Sequence, residues 1–292
     1  MWGAMEYKKL GRTDVMIPTI GLGTWKYTGG IMPLRRGVDL GANLIDTAEM
    51  YKTEGAVGDA ISGMRNQVFI ATKVSGSHIK YDEIMRAAER SLRELGVDSI
   101  DLYQVHWPNS NVPIGETMRA MEELVDVGVV KHIGVSNFGV RELEEARGMM
   151  SKYPIVSNQV LYNLNKREIE RDLLYYCLEN HITILAYTPL ASGSLSKSAN
   201  IMGGVRKLVG KNDLSPGGVL NTISTEVGKT PAQVALNWCT VHPNVVAIPK
   251  ANTVKHTEEN CDSVGWYLSE DQMRRLDRAF PLRNDPNVYY RG

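Results

Sequence analysis

Two patterns of apolar and polar positions alternate along this chain. Short apolar runs bounded by glycine and polar residues occur at Thr19–Thr24, Asn43–Asp46, Val68–Lys73, Ile100–His106, His132–Ser136, Val156–Gln159, Ile182–Tyr187 and Val245–Pro249. Runs of this length and bounding predict buried strands. Between them lie longer amphipathic stretches. Tyr81–Leu95 places Ile84, Ala87, Ala88, Leu92 and Leu95 on one helical face and Glu83, Arg86, Arg90 and Arg93 around the other, with Gly96 as a stop. Ile114–Val127 repeats the pattern through Met118, Met121, Leu124 and Val125 and ends at Gly128. Asn165–Glu179 carries Ile169, Leu173, Tyr176 and Cys177 on its inner face. Thr230-Pro231 and Ser269 open two later helices, the second running to Phe280. Before the first run, residues around Gly11-Arg12-Thr13-Asp14 predict a small hairpin.

Eight strands alternating with helices predict an α/β protein, a (β/α)8 TIM barrel with an N-terminal β-hairpin, spanning 1–292 as one domain. The alternative is a doubly wound open sheet. A dinucleotide-binding sheet of that kind carries GxGxxG after its first strand, and Gly21-Leu22-Gly23-Thr24-Trp25 lacks the third glycine. Residues 188–217 and 281–292 break the rhythm and are candidates for covering a ligand.

Composition narrows the classes. With 33 basic and 33 acidic residues and no basic block, neither nucleic acid nor an anionic membrane is an expected partner. No apolar run reaches the ~18–20 residues that span a bilayer. Met1–Leu10 lacks the apolar core of a secretory signal. Cys177, Cys239 and Cys261 are widely spaced and read as buried thiols. The expected location is cytoplasmic. Oligomeric state is not legible.

Four polar residues stand at or just beyond the ends of apolar runs: Asp46, Tyr51, Lys73 and His106. In a barrel these ends share one face, so the four side chains converge. A lysine ammonium beside a tyrosine favours the tyrosinate and lowers its pKa, and an aspartate holds the lysine charged. Tyr51 then becomes a general acid for a developing alkoxide. His106 either hydrogen-bonds the same oxygen or relays a proton at lower pH. The histidines lack metal-ligand spacing, so no metal is assigned.

Several segments resemble the aldo-keto reductase family (the aldose and aldehyde reductase type). They are Gly21-Leu22-Gly23-Thr24-Trp25, Ile45-Asp46-Thr47-Ala48 leading to Tyr51, Ala71-Thr72-Lys73, His106-Trp107-Pro108, Ile133-Gly134-Val135-Ser136-Asn137-Phe138, Asn158-Gln159, Ala186-Tyr187-Thr188-Pro189-Leu190 and Ile248-Pro249-Lys250. Each is weak alone; eight in order are specific. The resemblance implies an NAD(P)H-dependent reductase of small aldehydes or ketones, with Asp46, Tyr51, Lys73 and His106 catalytic and Tyr51 the acid. It implies that Ser136, Asn137 and Gln159 bind the nicotinamide carboxamide and that the Tyr187 ring stacks on it. Thr24, Trp25 and Asp46 are also assigned to the cofactor. Thr188, Leu190, Ser192 and Ser194 fall on the loop over the pyrophosphate. Trp25, Tyr51, His106 and Trp107 form the substrate wall.

At the adenosine end the family's NADPH-preferring members show Lys-Ser after Ile-Pro and then an arginine. This chain has Lys250-Ala251, with His256 in the arginine's place. Lys250, Ala251, Asn252, His256, Glu259 and Asn260 are the expected adenosine contacts, with NADPH the expected cofactor and NADH the alternative. A rival on the same fold is a non-catalytic nicotinamide-cofactor sensor or regulatory subunit. A Schiff-base enzyme using Lys73 would need that lysine without an adjacent aspartate, and Asp46 argues against it.

Overall fold

A computed structural model describes residues 4–196 and 213–282. The parts of the two expected covering segments at 197–212 and 283–292 lie outside the described residues. The chain opens with an antiparallel hairpin, β1 (Tyr7–Lys9) and β2 (Met16–Pro18). Eight parallel strands follow: β3 (Leu22–Gly23), β4 (Leu44–Asp46), β5 (Phe69–Val74), β6 (Ile100–Val105), β7 (Val130–Ser136), β8 (Ile155–Leu161), β9 (Thr183–Tyr187) and β10 (Val245–Ala247), each paired with the next in chain order. The ring closes where Gly21 N donates to Ala247 O at 2.8 Å and Ala247 N donates to Thr19 O at 3.0 Å. Parallel bridges Ile20–Ala247 and Gly23–Lys250 extend the closure. The molecule is a (β/α)8 barrel, as the alternating pattern predicts.

The barrel interior is filled by Leu44, Ala71, Leu102, Val156, Leu185, Val246 and Ile248, joined by Leu10 and Ile17 of the hairpin segment. The hairpin thus stoppers the end of the barrel where the strands begin. Lys8 fastens it, its Nζ donating to the carbonyls of Thr240, His242 and Val245 at 2.6, 2.7 and 2.7 Å. The opposite end, where the strands finish, is left for the polar residues.

Helices pack outside the sheet, among them α1 (Ile31–Asp39), α2 (Glu54–Ile61), α3 (Tyr81–Leu95), α4 (Ile114–Asp126) and α5 (Val140–Met149). The expected helix over Asn165–Glu179 is broken. Glu168–Arg171 forms a 3₁₀ turn, and α6 begins only at Leu173–Glu179. Asp172 is the cause: its backbone leaves helical angles (φ −150°) and its carboxylate accepts from Leu173 N at 2.5 Å. Local capture of a backbone N–H by an aspartate competes with helix propagation. The remaining helices are α7 (Pro216–Val227), α8 (Pro231–Cys239), α9 (Val254–Cys261) and α10 (Glu270–Ala279). Thr230 caps α8 and Ser269 caps α10, each exchanging hydrogen bonds with the glutamine three residues on. Among the described residues no helix is long and apolar enough to cross a membrane.

One irregularity in the sheet prepares the site. Between β7 and β8 the register skips Val156, because Ile133 pairs with Ile155 but Gly134 pairs with Ser157. This bulge lets both Val156 and Gln159 project into the barrel, which strict alternation forbids. Gly134 permits it, since a Cβ there would overlap the Ser157 hydroxyl and the Gln104 side chain.

Candidate active site

The four residues meet at the open end. Asp46 closes β4, Lys73 lies one residue before the end of β5, and His106 directly follows β6. Tyr51 ends a 3₁₀ turn, Glu49–Tyr51, that follows β4. Lys73 is wholly buried and Asp46 is 2 % exposed. The Lys73 ammonium donates to Asp46 Oδ2 and to the Thr47 carbonyl, both at 2.8 Å, and stands 3.4 Å from the Tyr51 hydroxyl. Its third donor is thereby directed at Tyr51. Gln159, turned inward by the bulge, donates from Nε2 to Asp46 Oδ1 at 2.7 Å. Asp46 is therefore held on both oxygens, and the buried ion pair is hydrogen-bonded as a low-dielectric site requires.

Electrostatics separate the roles. Burial is the largest influence on Tyr51 and raises its pKa; Lys73 pulls the other way without prevailing, so the net direction is upward. The sequence argument gives the sign of the lysine's effect but not the burial that outweighs it. Tyr51 is a protonated phenol at neutral pH, with a charged donor at its oxygen. Burial alone would lower the Lys73 pKa, but Asp46 and Tyr51 together raise it, so Lys73 stays an ammonium. Burial, with Lys73 in support, pushes the His106 pKa down to about 3. His106 is thus a neutral imidazole through the physiological range. A neutral imidazole suits the hydrogen-bonding role.

Aromatic walls flank the hydroxyl. The Trp25 ring lies 4.9 Å from the Tyr51 ring and is half exposed; His106 meets the other side edge-on at 5.5 Å, and Trp107 stacks near His106 at 6.3 Å. All four residues expected at the substrate wall are gathered there. Thr24 joins from below, its hydroxyl donating to the Asp46 carbonyl at 2.9 Å.

Along the rim of β7 to β9 the remaining polar residues are already linked to one another. Ser136 Oγ donates to the Gln159 carbonyl (2.9 Å), Asn137 Nδ2 donates to the His106 carbonyl (3.0 Å), and Tyr187 OH donates to Asn137 Oδ1 (2.9 Å). Asn137, Thr188, Ala191 and Ser192 all have φ between 47° and 62°. Left-handed backbone at non-glycine residues concentrates where function constrains a chain. Leu190 is half-buried, Ser192 and Ser194 are exposed, and Ser194 Oγ accepts from Asn165 Nδ2 at 3.3 Å.

The six adenosine-end residues lie where β10 leads into α9. Lys250 and His256 are exposed, Ala251 and Asn260 are buried, and Glu259 is half-buried. Asn252 Oδ1 accepts from Thr28 N at 3.1 Å, which ties this corner to the loop after Trp25.

Sequence reasoning passed over three groups. The Thr47 carbonyl is a ligand of the Lys73 ammonium, and Thr53 lies within hydrogen-bond reach of both Thr24 and Thr47, at 3.1 and 3.0 Å. Glu49 anchors the turn that carries Tyr51. The threonines flank Asp46 and Tyr51 in sequence, a proximity that could have drawn notice; Glu49 gives no pattern.

A sequence model of the aldo/keto reductase family matches residues 19–280. The chain belongs to the aldo/keto reductase family. It is 37 % identical over 280 residues to the methylglyoxal reductase YeaE of Escherichia coli (strain K12), covering 92 % of this chain and 93 % of that one. Among solved structures, the thermostable aldo-keto reductase Tm1743, in complex with the inhibitor epalrestat, superposes with a TM-score of 0.84 at 39 % identity, covering 94 % of this chain and all of that one. An aldo/keto reductase from Klebsiella pneumoniae, in complex with NADP and acetate, gives 0.83 at 34 % identity, with 97 % and 98 % coverage. Among the described residues of this aldo/keto reductase, no three His, Cys, Asp or Glu side chains are grouped to hold a metal ion.

Proposed function

We propose that this protein reduces small aldehydes and ketones with NADPH, Tyr51 giving the proton to the carbonyl oxygen. The observation that carries the reading is the buried Asp46–Lys73–Tyr51 line, with its last donor aimed at a phenol between Trp25 and a neutral His106. When bound, the cofactor supplies the hydride.

The residues fit such a group. Ser136, Asn137 and Gln159 bring amide and hydroxyl groups, the kinds a carboxamide pairs with, to adjoining strand ends, where they would exchange their present hydrogen bonds for the cofactor's. Tyr187 lies half-buried beside them. Among the described residues His106 Nδ1 is buried with no hydrogen-bond partner, and the ring meets Tyr51 edge-on at 5.5 Å. At the far end Lys250 offers one exposed cation for a 2′-phosphate. His256 offers no guanidinium fork, so NADH is a weaker alternative rather than an excluded one.

The protein's own part is then specific. Trp25, Trp107 and Tyr51 receive the carbonyl and exclude water around it. Tyr51 OH and the His106 imidazole hydrogen-bond its oxygen. As negative charge grows there, Tyr51 transfers its proton, and the Lys73 ammonium stabilises the phenolate left behind. Asp46 keeps Lys73 charged and fixed. The relative's name makes methylglyoxal the first substrate to try. The test measures NADPH binding by tryptophan fluorescence and NADPH consumption with methylglyoxal, for the wild type and Tyr51→Phe. Binding by both with turnover only by the wild type supports the reading; undiminished turnover by Tyr51→Phe refutes it.

A further inference from the structure

The turn that carries Tyr51 is short, and the Tyr51 ring packs between Trp25 and His106. The turn has three residues, none fully buried, and Lys52 caps it in the left-handed region at φ 57°. The Tyr51 hydroxyl reaches Lys73 only at 3.4 Å. The start of the turn is tied to the neighbouring strand by Glu49, two residues before Tyr51. Its Oε2 accepts from the Ser75 backbone N–H at 2.9 Å. Its Oε1 accepts from Arg90 Nη2 at 2.8 Å and lies 2.9 Å from His78 Nδ1. Burial alone would raise the Glu49 pKa, but the Ser75 N–H, Arg90 and His78 together hold it below the usual range. The acceptor is thus a charged one.

The connection continues past Glu49. Ser75 directly follows β5, the strand that carries Lys73. At the next residue, the Gly76 carbonyl accepts from Asn109 Nδ2 at 3.0 Å. A Cβ at Gly76 would lie 3.0 Å from Trp107 Cβ, so this loop sits flush against the residue after His106. One line of contacts, Glu49–Ser75–Gly76–Asn109, therefore joins the segments bearing Tyr51, Lys73 and His106 outside the pocket.

The geometry points to Glu49 as a positioning residue that sets the distance between the Tyr51 hydroxyl and the Lys73 ammonium, an inference that rests on the reductase reading above. Misplacing a reacting group by an ångström costs on the order of 100-fold in rate. Glu49→Ala should lower kcat for methylglyoxal about 100-fold while the NADPH dissociation constant stays within about twofold. Glu49→Gln, whose amide oxygen can still accept from Ser75 N, should recover about tenfold of that loss. Arg90→Ala, which removes one leg of the clamp from a solvent-facing helix position, should cost about threefold.

A second readout needs neither cofactor nor turnover. The ionisation of Tyr51 is followed by tyrosinate absorbance, as the difference between each protein and its Tyr51→Phe counterpart. Freed from the clamp, Tyr51 drifts from Lys73, and its midpoint should move upward in Glu49→Ala and less in Glu49→Gln. If Glu49→Ala does not fold, Glu49→Gln and Arg90→Ala decide. An unmoved midpoint overturns the inference, as does an unchanged kcat in an active enzyme. A wild type that turns over no carbonyl defeats the reductase reading, while the ionisation midpoint still decides the clamp.

Discussion

Replacing Lys73 with methionine tests the energetics and the chemistry of the site together. The substitution keeps an unbranched apolar stem, one atom shorter, and removes a fully buried ammonium that bonds Asp46, the Thr47 carbonyl and Tyr51. Leaving one partner of a buried pair uncompensated costs about 3–5 kcal/mol. Asp46 retains the Gln159 donor at 2.7 Å, which argues for the lower end, about 3 kcal/mol. At about 2–4 °C per kcal/mol for a large domain, the melting temperature should fall by about 6–12 °C. Asp46→Asn removes the charge left behind while keeping an acceptor for Gln159. The double variant Asp46→Asn/Lys73→Met should therefore be about 2 kcal/mol more stable than Lys73→Met alone, measured by urea unfolding. Activity should not return with stability. Without the ammonium the Tyr51 pKa, already raised by burial, rises further, and kcat should fall about 1000-fold in both variants carrying Lys73→Met. A gain below about 1 kcal/mol would refute the reasoning, because it would mean that the charge left on Asp46 is solvated like a surface one.

The other predictions concern single groups. Tyr51→Phe should lower kcat by about 100- to 10,000-fold with the NADPH dissociation constant within about twofold, measured by fluorescence quenching. His106 has a folded pKa of about 3 against an ordinary value of 6.5. The unfolded chain therefore binds a proton that the folded one refuses, and the stability tied to neutral His106 is complete above pH 6.5 and is lost as pH falls toward 3. Relative to His106→Gln, the wild type should lose on the order of 4 kcal/mol across that window; parallel pH–stability curves would contradict the assignment. His256→Arg should tighten NADPH about tenfold and leave NADH unchanged, and equal tightening of both would show that this position does not face the 2′-phosphate.

The barrel and its four central residues were legible because each lies on a pattern. Asp46, Lys73 and His106 end apolar runs, and parallel strands put such ends on one face. The helix break at Asp172 was not legible: the apolar spacing of Ile169, Leu173 and Cys177 continues through it, and only the aspartate's hydrogen bond to Leu173 N interrupts the backbone. Nor was the bulge at Val156, where Val-Ser-Asn-Gln carries no mark of a skipped residue, although it turns Gln159 inward onto Asp46. The sequence carries the sign of the lysine's pull on the Tyr51 pKa but not the burial that opposes it, because burial belongs to the assembled fold. Glu49 escaped notice for a related reason. Its partners Ser75, His78 and Arg90 lie 26, 29 and 41 positions away, and nothing near Glu49 anticipates them.

The most direct test of the whole account is a single-turnover experiment. Wild type and Tyr51→Phe are each saturated with NADPH, mixed with methylglyoxal and followed by loss of reduced-nicotinamide absorbance. The account predicts that both bind NADPH and that only the wild type consumes it at an appreciable rate. Equal consumption by the two proteins, or binding of neither NADPH nor NADH by the wild type, would contradict it.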